Sequence, residues 1–161
     1  MKQMNKSYSI LGMLTLAVLI ASCGTKPNAS NAETDLVFAK GEKITNTNFT
    51  GDVWLKTLVE GDSVNQNSVG SVTFKAGART KWHSHPAGQI ILAISGEGYY
   101  QEEGSTKKIL KKGDVVKCPS NIAHWHGASA TEDFIQVAIT GREKGPTEWI
   151  KDVSDEEYLK N

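Results

Sequence analysis

Cysteine is scarce: the 161 residues hold only Cys23 and Cys118. So few thiols exclude a fold stapled by a disulfide framework, and the core has to be sufficient alone. A domain of about 140 residues buries roughly two-thirds of the surface its unfolded chain exposes, which is enough without staples. An excess of positive charge is missing too. Lys and Arg together number 18 against 18 Asp and Glu, and no basic stripe is visible, so the electrostatic footprint of a nucleic-acid binder is absent. There is no internal repeat at a solenoid-like period. Apart from one stretch near the start, no apolar run is long enough to invite comparison with a membrane span.

That stretch is "ILGMLTLAVLIA", Ile10 to Ala21, preceded by the basic residues Lys2 and Lys6. It is too short to span a bilayer but right for the apolar region of a secretion signal. Ile20, Ala21 and Ser22 then lead to Cys23 in a pattern that resembles the bacterial lipobox. The expectation is a lipoprotein signal peptide over residues 1–22, lipidation of Cys23, and an exported, membrane-anchored product on the periplasmic or cell-surface side. Removing the signal takes away Lys2 and Lys6 and leaves a slight acidic excess. Residues 23–36, beginning "CGTKPNASNAE", are polar and aperiodic and read as a flexible tether. Residues 37–161 are expected to form one domain.

Within that domain the pattern is one of short strands separated by Gly, Pro, Ser and Asn: "DVWLKTLVE", "SVGSVTFKA", "QIILAIS", "EGYYQEE", "KKILKK", "DVVKC", "IAHWHGA" and "DFIQVAIT". Strands at this spacing predict an all-β sandwich or barrel, which closes to remove exposed edges. The one predicted helix is "SDEEYLK", with Ser154 as N-cap and acidic residues in the first turn.

All four histidines fall in two short segments, "TKWHSHPAGQ" and "PSNIAHWHGA". Residues two apart on a strand share a face, so His83 and His85 converge, as do His124 and His126, while Trp82 and Trp125 point the other way and are expected to pack against another strand or a partner subunit. "PAG" breaks the first strand, and Gln89 can return toward the same point. Two His-x-His pairs are a metal-binding signal, but imidazole suits Zn, Mn, Fe, Ni and Cu alike.

The spacing resembles the two motifs of the cupin superfamily. Gly77, His83, His85, Gln89 and Gly96 match the first, with Gln where Glu is usual; Gly113, Pro119 and His124 match the second, with Asn121 and Ala128 replacing its Gly and Asn. Asn can itself occupy a left-handed turn position. Sixteen residues lie between the motifs. The resemblance implies a jelly-roll-like cupin β-barrel with the short C-terminal helix, and metal ligands at His83, His85, Gln89 and His124. Three imidazoles and an amide cancel none of a divalent ion's charge, which makes it a better Lewis acid and anion trap.

At finer grain, "WHSHPAGQ", "GDVVKCPSNIAHWHGA" and "EWIKDVSDEEY" look like small bacterial cupins often labelled carboxymuconolactone-decarboxylase-like, a group that includes cupin hydroxynitrile lyases. The resemblance implies Mn2+ as the preferred cofactor, with Fe2+ or Zn2+ as alternatives, and a metal-dependent lyase of small-molecule cyanohydrins. The other readings are a quercetinase-like dioxygenase and a non-catalytic metal or small-ligand binder. His126 is the candidate acid or base, its bland alternative being a residue that orients a ligand or bound water. Val72, Phe74, Thr80 and Thr140 are candidate pocket residues, the threonines near the mouth. Cys118 reads as a small buried hydrophobe and "KKILKK" as a solvated edge. Apolar positions on both faces of "QIILAIS" point to a homodimer.

Overall fold

A computed structural model of the chain describes Met1 and residues 36–160. The expected signal peptide, Cys23 and nearly all of the tether lie outside the described residues. Among the described residues twelve strands and one helix follow in order: β1 (Glu42–Lys43), β2 (Phe49–Thr50), β3 (Val53–Val59), β4 (Asn67–Phe74), β5 (Arg79–Thr80), β6 (Trp82–Ser84), β7 (Gln89–Glu102), β8 (Lys108–Lys111), β9 (Val115–Cys118), β10 (His124–Ala128), β11 (Phe134–Gly141), β12 (Glu148–Lys151) and α1 (Asp155–Leu159). All the pairings are antiparallel, and the sheet runs β1-β3-β4-β11-β7-β10-β5-β2, with β8 and β9 added on β7 and β12 joined through β6.

"QIILAIS" and "EGYYQEE", two strands by their turn signal, are one continuous strand, β7. Its first half pairs with β11 and β9 and its second with β8 and β10. An irregularity in the β11 ladder leaves Ile94 without a partner, and Gly96 follows with φ 75°. A Cβ at Gly96 would stand 1.8 Å from the Asp133 carbonyl oxygen, so only glycine lets the strand turn the barrel corner here. The glycine therefore bends the strand without ending it, and the bend curls one sheet around the core.

That core contains Phe74, Ile91, Tyr100, Cys118 and Phe134, each at most 1 % exposed. Burying a side chain as large as Phe stabilises the fold by about 1.5–3 kcal/mol. Cys118 is the small buried residue its setting foretold, and burial raises its thiol pKa to about 12.

A second cluster forms on the outer face of β6 and β10, where Trp82 and Trp125 meet Val153 and Tyr158. The tryptophans thus cover the back of the histidine strands. Helix α1 begins at Ser154, whose hydroxyl accepts from Glu157 N at 3.1 Å while the Glu157 carboxylate accepts from Ser154 N at 2.9 Å. Tyr158 Oη donates to the Ala128 carbonyl at 2.9 Å, and Arg79 lies over the Tyr158 ring, 4.5 Å from its centroid. These contacts clamp the helix onto β10.

Candidate metal centre

The register of β6 against β10 sets His124 opposite His83 and brings their rings to 4.4 Å between centroids. His85 follows the end of β6, and the tight turn at Pro86 and Ala87 returns the chain so that Gln89 opens β7. Two backbone donors, Gly88 N and Asn121 N, both reach the His85 carbonyl at 3.0 Å. Asn121 adopts the left-handed conformation, φ 61°, expected where the motif usually has glycine. The second histidine segment is thereby tied to the turn of the first.

Hydrogen bonds behind the rings fix their orientation. His83 Nδ1 donates to the Lys81 carbonyl at 2.8 Å and His124 Nδ1 to the Ile122 carbonyl at 2.9 Å. A carbonyl can only accept, so each ring is protonated at Nδ1 and keeps a lone pair at Nε2. His85 Nδ1 lies 3.1 Å from Thr147 Oγ1. Gln89 Nε2 donates to Thr140 Oγ1 at 2.9 Å. What these partners leave over is a set of buried ring and amide atoms, His85 Nε2, His124 Nε2 and Gln89 Oε1, that no described residue satisfies.

The ligand atoms of His83, His85 and His124 all lie within 4.8 Å of one another. Clustered imidazole nitrogens beside an unsatisfied amide oxygen are a donor set that a divalent cation takes, so the residues fit the metal that the sequence implies.

The electrostatics favour the unprotonated rings. Burial, then His126 and His124, holds His83 well below the usual histidine range; burial, then His124 and Arg142, takes His85 to about 3; burial also lowers His124, against the opposing pull of the Ile122 carbonyl and Glu102. Neutral imidazoles cost nothing in deprotonation when they take up a cation.

A cavity of about 350 Å³ opens over the centre. Val72, Phe74, Thr80, Thr140 and His126 all line it. The two threonines are buried, not at an exposed mouth, and each serves a neighbour: Thr140 accepts from Gln89, and Thr80 Oγ1 accepts from His126 N at 3.1 Å. The His126 ring stands 5.2 Å from His83 and meets Phe74 edge-on at 5.8 Å. Its Nδ1 is buried without a partner among the described residues. Burial, then His124 and His85, holds its pKa well below the ordinary value.

Trp149, Thr147, Arg142 and Gln136 also line the cavity and were not legible in the sequence. Strand β12 pairs with β6 and brings Trp149 to 4.9 Å from the His83 ring. Thr147 backs His85 and accepts from Arg142 Nη1 at 3.2 Å. Gln136 projects from the middle of β11. Nothing in the spacing of these residues marks them, since only the return of the chain after β11 and the inward phase of that strand place them in the cavity.

The chain belongs to the cupin superfamily. Residues 70–140 match the Cupin_2 family, described as a cupin domain. An (R)-mandelonitrile lyase of Granulicella tundricola is 39% identical over 111 residues, which cover 68% of this chain and 85% of that protein. The crystal structure of a cupin-like protein from Thermotoga maritima is similar with a TM-score of 0.76 at 47% identity, covering 78% of this chain and 96% of that one. A predicted oxalate decarboxylase from Thermotoga maritima shares the fold at 19% identity, with a TM-score of 0.56 over 73% of this chain and 96% of its own.

Proposed function

We propose that the protein is a metal-dependent lyase that cleaves or forms cyanohydrins, with Mn2+ held by His83, His85, Gln89 and His124. The observation that carries this reading is the charge balance of the site: three imidazoles cluster in a cavity that the unpartnered amide of Gln89 also lines, with no carboxylate in the cluster. The likeness to an (R)-mandelonitrile lyase supports the same chemistry. When bound, the ion would supply Lewis acidity undiminished by an anionic ligand.

The chain's own groups supply the rest. His126, neutral in its buried position, accepts the hydroxyl proton of the cyanohydrin at its lone pair. The oxygen's electrons form the carbonyl, the carbon–carbon bond breaks, and its pair leaves on cyanide, which takes the proton back from His126. Val72, Phe74, Phe49 and Trp149 line the cavity and hold the apolar body of the substrate away from water. Thr80, bonded to the His126 backbone, fixes the strand that carries the proton acceptor.

Incubation of Mn2+-loaded protein with mandelonitrile tests the reading. Benzaldehyde should form far faster than with a Gln89→Ala, His126→Ala double variant; equal rates would remove it. Anchoring through a lipidated Cys23 and pairing of two copies belong to the same proposal. Ile90 and Val115, apolar and exposed beside the β7–β9 ladder, are the surface assigned to the second copy. Sedimentation should show a dimer that Ile90→Lys, Val115→Lys dissociates.

A further inference from the structure

Gln136 is fully buried, and neither its amide nitrogen nor its amide oxygen has a partner among the described residues. It sits on the cavity wall, opposite Val72 on one side and Ala93 on the other, immediately beyond the irregularity in the β7–β11 ladder. A buried amide left unpaired is costly, and a hydrophobic residue of similar size would serve the core better. Such a group persists where it does something other than hold the fold together.

Its position says what that is. Gln136, Ala138 and Thr140 lie on the same face of β11 and all line the cavity. Thr140 holds Gln89 at the metal end. Four steps along the strand therefore separate the two polar points, about 13 Å between their Cα atoms, with the Ala138 methyl between them. On the neighbouring strand Gly70 stands opposite Ala138 and Val72 opposite Gln136, which keeps the intervening wall apolar. A small molecule that reacts at the metal end and reaches Gln136 needs an apolar middle and a second hydrogen-bonding group at its far end. An aromatic ring with polar substituents para to each other has that form.

We propose that Gln136 is a specificity-determining residue that binds a ring hydroxyl remote from the reacting carbon, so that the substrate class is hydroxylated aromatic aldehydes and their cyanohydrins. The amide can donate to that hydroxyl oxygen and accept its proton, which a benzene ring alone cannot use. The proposal rests on the lyase reading for the reaction, though not for the binding.

The test compares 4-hydroxybenzaldehyde with benzaldehyde by calorimetric titration of the metal-loaded protein, with Gln136→Leu and Gln136→Met as variants. The wild type should bind the hydroxylated aldehyde about tenfold or more tightly, and both variants should bind the two within about twofold. Both variants, free of ligand, should melt about 2–5 °C higher than the wild type because an unpaired buried amide has gone. Equal affinities in the wild type, a preference that survives in the variants, or lower melting of both variants would overturn the proposal. Mandelonitrile cleavage run alongside separates the two readings. Preference without cleavage refutes only the lyase, and cleavage without preference refutes only the role of Gln136.

Discussion

Gln89 and Thr140 face each other across the β7–β11 ladder, and the amide nitrogen of one donates to the hydroxyl of the other over 2.9 Å. This single contact decides which end of the carboxamide looks into the site. With Nε2 committed, Oε1 is left buried without a partner among the described residues.

Thr140→Val should therefore weaken divalent-metal binding by about 10–100-fold while leaving the fold intact, because the amide loses the partner that orients it. Thr140→Ser, which keeps the hydroxyl, should restore most of the affinity. Calorimetric titration of chelator-stripped protein measures both.

Gln89→Glu exchanges a neutral ligand for a charged one. Metal affinity should rise by about tenfold, roughly 1.4 kcal/mol, and mandelonitrile cleavage should fall, because the metal's charge toward an anion drops by one unit. Azide, a cyanide-sized anion, should inhibit the wild type more strongly than this variant. A variant as active and as azide-sensitive as the wild type would show that the neutral ligand has no catalytic consequence.

The metal-free protein should lose stability on acidification in a window set by its histidines. His83, His85, His124 and His126 all have pKa values lowered in the folded state, chiefly by burial. The unfolded chain therefore takes up protons first. Their contribution is fully present above about 6.5 and is lost as pH falls toward the folded-state values; for His85 the loss continues to about 3. Each ring in its window gives a slope of up to about 1.4 kcal/mol per pH unit. Denaturant melts between pH 7.5 and 4.5 should show this fall, and His85→Gln should make it shallower.

Ser154→Ala removes the cap of α1 and should cost about 1 kcal/mol. Tyr158→Phe leaves the buried Ala128 carbonyl without its donor and should cost about 1–3 kcal/mol. Neither residue reaches the cavity, so the lowered melting temperatures should come without loss of metal affinity.

Much of this arrangement is written in local pattern. The His-x-His spacing and the strand period of two put His83 with His85 and His124 with His126 on shared faces, and Gly96, Gly113 and Asn121 carry the backbone angles their motif positions require. Ser154 announces the helix because capping is a contact within four residues. The sequence misleads where tertiary context overrides a turn signal: Gly96 reads as a break but is a bend inside β7. It is silent where a contact joins distant segments. No local pattern links Thr147 to His85 or Trp149 to His83, and Gln136 is one polar residue in an apolar strand until its phase relative to the cavity is known.

The account depends most on a single divalent ion held jointly by His83, His85, Gln89 and His124. Titration of chelator-stripped protein with Mn2+ tests it directly: one site per chain in the wild type, none in His124→Ala, and one weakened site in Gln89→Ala. Titration that detects no binding in the wild type, or equal binding in wild type and His124→Ala, would contradict it.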